Sequence, residues 1–276
     1  MITLVNFADK RFRNKQKWNT FSAKLFGRFD QVLEYRFSDL DEEILSVNKE
    51  SLKYRNKGAG NYFWKPYIVE KALNKINESD YLMYADSGTF FLKSVLPLVK
   101  YMETKNKDIL CFRLPLIEKQ WTKRDAFLRM DCDTEKYTDS TQTLATFFLV
   151  KKTKKAIDFI SAYKKYCFDS RILSDDPNVL GEENYQGFIE HRHDQSVLSL
   201  LSKKDNNVLI EGDISDYGYY PQKYIKNKER LFNNEALDIK NNKFKGTLIS
   251  NRSEHPIIYL VKYYIKRILL MIGIKS

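Results

Sequence analysis

The run Tyr81-Leu-Met-Tyr-Ala-Asp86-Ser-Gly88 ends an apolar stretch on a carboxylate. In α/β proteins ligands sit beyond the carboxyl ends of the strands, so an Asp there can hold a divalent cation or a sugar hydroxyl. Asp-Ser-Gly is also ordinary turn chemistry. A second group is Gly58-Ala-Gly60-Asn-Tyr-Phe-Trp64-Lys65-Pro66-Tyr67. Two glycines let a backbone approach a ligand closely, and a helix start carrying a Lys can hold a diphosphate. The spacing matches neither the Walker loop nor the dinucleotide fingerprint. A glycine loop with Trp64 packed in the core is the plainer reading, and the two are compatible. The third group, His191-Arg-His193-Asp194-Gln195-Ser196, holds two of the three His in the chain. It offers metal-binding, acid–base and sugar-bonding groups. A helix start with Asp194 favourable on the dipole is the alternative. On a helix His191 and His193 would diverge, which argues against a shared zinc ion.

These groups need strands and helices to carry them. Apolar runs over Ile2–Ala8, Gln31–Phe37, Tyr81–Ala85, Ile109–Arg113, Gln142–Val150 and Val208–Glu211 read as strands. Helices read over Lys15–Phe26, Leu40–Val47, Trp64–Ile76, Val95–Glu103, Lys154–Tyr166 and His191–Leu201. Pro66 suits a first helical turn. The alternation predicts an α/β fold. Asp169–Tyr185 reads as loop. Three regions follow: an α/β domain over 1–221, a polar, Asn/Lys-rich peripheral segment over 222–255, and an amphipathic helix over 256–276.

The totals narrow the function classes. With 43% hydrophobic and 14% aromatic residues in 276, a real core is affordable and bulk disorder is excluded. A net charge of +11 favours polyanions: nucleic acid, anionic lipid or phosphorylated small molecules. The basic residues are scattered and no nucleic-acid-binding motif appears, so a basic nucleic-acid-binding protein is only an alternative. Three widely spaced Cys point to a reducing compartment. The N-terminus places its apolar run before its charges, unlike a signal peptide. A cytoplasmic location is expected.

Four runs, taken in order, carry a resemblance: Val5-Asn-Phe-Ala-Asp9, Phe26-Gly-Arg-Phe-Asp30, the Gly58–Tyr67 stretch and Tyr84-Ala-Asp-Ser-Gly88. With the His191–Ser196 motif, they resemble bacterial capsule and O-antigen glycosyltransferases of GT-A type over roughly Thr3 to Leu201. The resemblance implies a single GT-A-like, Rossmann-related α/β domain with a mixed central sheet. It implies a hexosyltransferase for cell-surface polysaccharide or lipopolysaccharide synthesis, with a nucleotide-sugar donor, UDP-sugar foremost, and a glycan or lipid-linked acceptor. Nucleic acid is not an implied partner. Phe7, Ala8 and Asp9 would bind the nucleotide, with Gly58, Gly60, Trp64, Tyr84, Ser87 and Gly88 around the donor. Lys65 would reach it. Asp194 or Gln195 would stand near the reacting sugar carbon, with His191 and His193 on the substrate and Asp86 catalytic. Asp86 matches the first carboxylate of the family's Asp-x-Asp element, and Gly88 stands where the second would be. Metal binding at Asp86 is therefore open: Mn²⁺ or Mg²⁺ are the candidates, and transfer without metal is slightly favoured. A non-catalytic glycan-binding relative is the remaining alternative.

From Pro256 the chain is apolar and cationic, with Lys262, Lys266, Arg267 and Lys275 and no acid. On a helix Ile257, Val261, Tyr264, Ile265, Ile268 and Ile272 share one face. That pattern predicts an interfacial helix drawn to anionic lipid, peripheral at the inner face of the membrane. A terminal helix docked on the domain is the alternative.

Overall fold

A computed structural model of the chain describes residues 1–53, 57–220, 230–233, 242–251 and 253–272. The strands in chain order are β1 (Ile2–Ala8), β2 (Gln31–Arg36), β3 (Tyr81–Ala85), β4 (Thr89–Phe91), β5 (Ile109–Ile117), β6 (Thr141–Lys151), β7 (Val208–Gly212) and β8 (Leu248–Ser250). The longer helices are α1 (Arg13–Ser22), α2 (Trp64–Leu73), α3 (Leu96–Lys105), α4 (Lys154–Cys167), α5 (Asp194–Lys204) and α6 (Pro256–Met271).

Six strands form one mixed sheet in the order β2-β1-β3-β6-β5-β7. β1 lies parallel to β2 and β3, whereas β6 runs antiparallel to both β3 and β5. β1 and β3 are buried along their whole length, as near-continuous apolar runs require when helices cover both faces. Alternate side chains then enter two cores. Val5, Phe7 and Tyr84 pack with α2, α4 and α5, while Leu4 and Met83 pack with α3.

The α/β fold and the mixed sheet agree with expectation, and most element boundaries shift by only a few residues. The reversal between β3 and β6 matters for the site. It brings the middle of β6 alongside the end of β3, where the Asp86 amide donates to the Thr146 carbonyl at 2.8 Å.

β4 and β8 pair antiparallel in a small second sheet that the sequence reading missed. Three residues are too few to display a period-two pattern. β8 also falls inside the stretch read as polar and peripheral, yet Thr247, Leu248 and Ile249 are buried. Residues 222–229, 234–241 and 252 of that stretch lie outside the described residues. Among the described residues no helix is long and apolar enough to cross a membrane.

Candidate active site

The loop before α2 is held in an unusual backbone. Gly58, Ala59, Gly60, Asn61 and Tyr62 all have positive φ. A side chain on Gly58 would come within 2.3 Å of the Tyr62 ring. Glycine is therefore required here, and its carbonyl accepts the Trp64 indole N–H at 2.9 Å. Trp64 stacks on Phe7 at the end of β1, with centroids 3.7 Å apart. Trp64 is thus both core residue and cavity wall.

Around this stack lies a cleft of about 320 Å³, lined by Phe7, Asp9, Gly58, Trp64, Tyr84 and Asp86, with Ser87 and Gly88 at its edge. Ala8 opens instead onto a neighbouring basic hollow. Gly60 lines none of the cavities described here. A β-carbon there would meet the Phe63 ring at 2.8 Å, so its glycine answers internal packing rather than ligand approach. Asp9 is engaged within the chain: it accepts from the Arg11 and Phe12 amides and pairs with the Arg11 guanidinium at 2.8 Å. This holds Arg11 on the wall of the cleft.

A second cavity of about 220 Å³ adjoins the first and shares Lys57, Tyr62 and Asp86 with it. Lys65, His193, Asp194 and Gln195 also line it. At its base Lys65 Nζ lies 2.6 Å from Asp194 Oδ2 and 3.6 Å from Asp86 Oδ1, and donates to the Ala145 carbonyl at 3.0 Å. Burial opposes the Lys65 charge, but Asp194 and Asp86 outweigh it and raise its pKa, so the ammonium is held protonated. Burial pushes the Asp194 carboxyl up against the pull of Lys65. Tyr84 donates to Asp86 at 2.6 Å and Tyr163 to Asp194 at 3.1 Å. Burial first, and then these carboxylates, raise both phenols well above their ordinary range, so they remain donors. Lys65, which the resemblance implied reaches the donor, lines this second cavity while buried and engaged by two carboxylates; the exposed cations at the cleft are Arg11, paired with Asp9, and Lys57, paired with Asp175. Tyr62 lay within the singled-out run but was given no role, and Tyr163 was missed because only the fold brings it to the cluster.

Gln195 also faces a third cavity of about 400 Å³, floored by Leu144 and Phe147 and walled by Tyr217 and Tyr259. Its amide orientation is set from behind. The buried Glu118 carboxylate can only accept; it takes Gln142 Nε2 at 3.2 Å, the Ser199 hydroxyl, and Lys203 Nζ at 2.5 Å. Gln142 must then present its oxygen to Gln195 Nε2, at 2.8 Å, and Gln195 Oε1 accepts the Ala145 amide at 3.3 Å.

The two histidines separate in role. They lie before α5 rather than on it, and their rings meet edge to face, 5.5 Å apart, instead of diverging. His191 accepts the Lys123 amide at Nδ1 and donates to the Ile172 carbonyl from Nε2 at 2.8 Å, so both its nitrogens serve the main chain. His191 nevertheless lines the second cavity beside His193. His193 donates from Nδ1 to the Leu173 carbonyl at 2.8 Å, and its Nε2 has no hydrogen-bond partner. It occupies a strained backbone, φ 52° and ψ −123°.

Burial lowers the pKa of both imidazoles, that of His191 well below 6.5. The unfolded chain then binds protons that the folded chain refuses, so this contribution is full above about pH 6.5 and is lost as pH falls. We expect thermal stability to decline from pH 7 to pH 5, and His191→Gln to flatten that decline. An identical slope in the variant would remove His191 as its source.

The donor set does not suit a metal ion. The point between Asp86 and Asp194 is already held by the Lys65 ammonium, and Gly88 supplies no ligand. Among the described residues no three His, Cys, Asp or Glu converge as a metal site.

No protein-family model matches the sequence, and no curated protein does. Solved structures do match in fold. The galactosyltransferase LgtC, in complex with donor and acceptor sugar analogues, superposes at TM-score 0.53 and 12% identity, covering 97% of this chain and 94% of that one. Mouse xyloside xylosyltransferase 1 gives 0.53 at 9% identity, covering 93% and 99%. The bifunctional glycosyltransferase WbbM gives 0.52 at 11%, covering 92% of this chain and 46% of its own. The chain thus has the fold of GT-A glycosyltransferases.

Proposed function

We propose that this chain is a hexosyltransferase moving a sugar from a nucleotide-sugar, a UDP-sugar foremost, to a glycan or lipid-linked acceptor of cell-surface polysaccharide. The observation that carries this reading is the Lys65–Asp86–Asp194 cluster at the junction of two cavities, with Gln195 leading to a third. One ammonium and two carboxylates leave the cluster with a net negative charge. Such a charge stabilises positive charge developing on a sugar ring as its bond to the leaving group breaks. The diphosphate leaves toward Arg11 and Lys57, which balance its charge in place of a metal. The acceptor enters from the 400 Å³ side, past Gln195, and as the new glycosidic bond forms its hydroxyl proton passes to the departing diphosphate.

A panel of nucleotide-sugars, with donor hydrolysis as readout, tests the activity. At least one donor is expected to turn over, and turnover is expected to persist in EDTA. Complete loss in EDTA, restored by Mn²⁺, would overturn the metal-free assignment. Failure to hydrolyse any donor, together with glycan binding, would favour a non-catalytic relative. Gln195→Ala should lower kcat by about tenfold or more, beyond a stability loss of about 1–3 kcal/mol from the stranded Gln142 oxygen. Unaltered turnover would leave Gln195 a packing residue.

The C-terminal helix supports work at a membrane. α6 rests on the domain through Tyr259, Leu260 and Tyr263, and Tyr259 donates to Asp216 at 2.7 Å. Its aliphatic face stays in solvent: Ile258, Val261, Ile265 and Ile268 are each more than half exposed. Lys262 and Lys266 lie on the exposed side. A docked helix that keeps its aliphatic side exposed beside cations suits an anionic lipid surface, peripheral at the cytoplasmic face. Val261→Ser with Ile265→Ser should release the protein from anionic vesicles in flotation without lowering its melting temperature. These substitutions test the face more cleanly than deletion of α6, which would also strip cover from Phe90 and Ile249.

A further inference from the structure

We infer that α6 is only half of the lipid-contacting face, and that the end of α1 supplies the other half; this rests on the membrane reading above. α1 continues into a π-helical turn, Ala23–Gly27, closed by Arg28 in the left-handed region at φ 63°. A π turn widens the helix and re-aims its side chains. Phe21, Leu25 and Phe26 are exposed by 50%, 50% and 41%. Three large apolar side chains displayed together at a helix end are costly in water and call for a partner.

The two strips border one joint. The Trp18 ring stands edge-on to Phe21 at 5.9 Å and to His255, at the start of α6, at 5.7 Å. Phe26 packs on Phe90 at 6.2 Å. Phe90 belongs to the same small cluster, with Ile249 and Tyr263, that seats α6 and receives Trp18 and Leu260.

Charge chooses the occupant. Residues 13–29 hold Lys17, Lys24 and Arg28 in exposed positions and contain no acid, as does the stretch from His255 to Ile272. Lys262 is paired with Glu254 at 2.8 Å, whereas Lys17, Lys24, Arg28 and Lys266 are exposed near the two apolar strips; apolar side chains with such cations around them fit an anionic bilayer surface better than an apolar protein partner. Two anchors at one joint would fix how the domain stands on the membrane, where a single helix would leave it free to swivel.

The test is flotation of the full chain with vesicles of phosphatidylglycerol and phosphatidylcholine, against phosphatidylcholine alone. Phe21→Ser, Leu25→Ser and Phe26→Ser together should lower partitioning onto the anionic vesicles by about tenfold or more, at a temperature where circular dichroism shows the variant still folded, since these half-exposed side chains also pack on Trp18 and Phe90. Combining them with Val261→Ser and Ile265→Ser should abolish it. Wild-type binding by the α1 variant, with loss in the α6 variant, would overturn this inference and leave the α6 reading standing. No flotation of the wild-type protein would remove both. A wild-type dimer that the α1 substitutions dissociate would mean that a second copy covers this face, and would also overturn it.

Discussion

Replacing Lys65 by Met is expected to destabilise the folded chain by about 3–5 kcal/mol and to abolish transfer. Lys65 is only 3% exposed and its ammonium is 2.6 Å from Asp194, which is itself buried. Methionine fills much of the same volume but leaves the Asp194 carboxylate facing Tyr163 without a counter-charge. Removing one partner of a buried pair costs far more than the pair contributes, because the remaining charge has lost its water and its partner. Urea unfolding measures the loss. The double variant Lys65→Met, Asp194→Leu should recover much of the stability, since no charge is stranded, and none of the activity. That contrast separates the structural part of the cluster from its part in transfer. A loss below about 1 kcal/mol in the single variant would mean that water reaches the pair and that the buried triad is misassigned.

Asp86→Ala is expected to have the opposite profile: turnover falls by about 10² or more with little loss of stability. Asp86 lies at the open end of the cluster, 3.6 Å from Lys65, and lines both the cleft and the second cavity. Its backbone contacts, the amide to Thr146 and the carbonyl to Thr89, survive the substitution. Tyr84, only 1% exposed, loses its Asp86 acceptor but lines the cleft. The variant should therefore fold normally, and the missing negative charge should appear in kcat rather than in donor KM. Near-wild-type turnover by a normally folded Asp86→Ala protein would sink the assignment of this cluster as the reacting centre.

Much of the fold was legible because its signals are local. β3 is an unbroken apolar run and β1 is interrupted only by Thr3 and Asn6, and the structure places both within the bounds read from the sequence. The 191–196 motif was legible as chemistry but not as geometry. Its two histidines looked equivalent, yet the Ile172 carbonyl and the Lys123 amide together occupy both nitrogens of His191, while the Leu173 carbonyl takes only Nδ1 of His193. The glycines of 58–60 were read together for ligand approach, while the structure sets Gly58 at the cleft and Gly60 beneath it.

Residue order by itself determined which segments become strands and helices, where the carboxylates and cations fall along them, and that the last helix has an aliphatic side and a cationic one. These follow from periodicity and side-chain type, which neighbouring residues suffice to express. Only the tertiary structure decided which charges meet. Lys65, Asp86 and Asp194 come from three separate segments, and they converge because β6 reverses direction beside β3 and α5 packs on β6. The same holds for α6: its sequence carries two sides that could dock, and the tyrosines won because Asp216 and the Phe90–Ile249 cluster offered them a hydrogen bond and an apolar seat together. Electrostatic and packing choices of this kind depend on distances in space between residues remote in sequence, which no local pattern records.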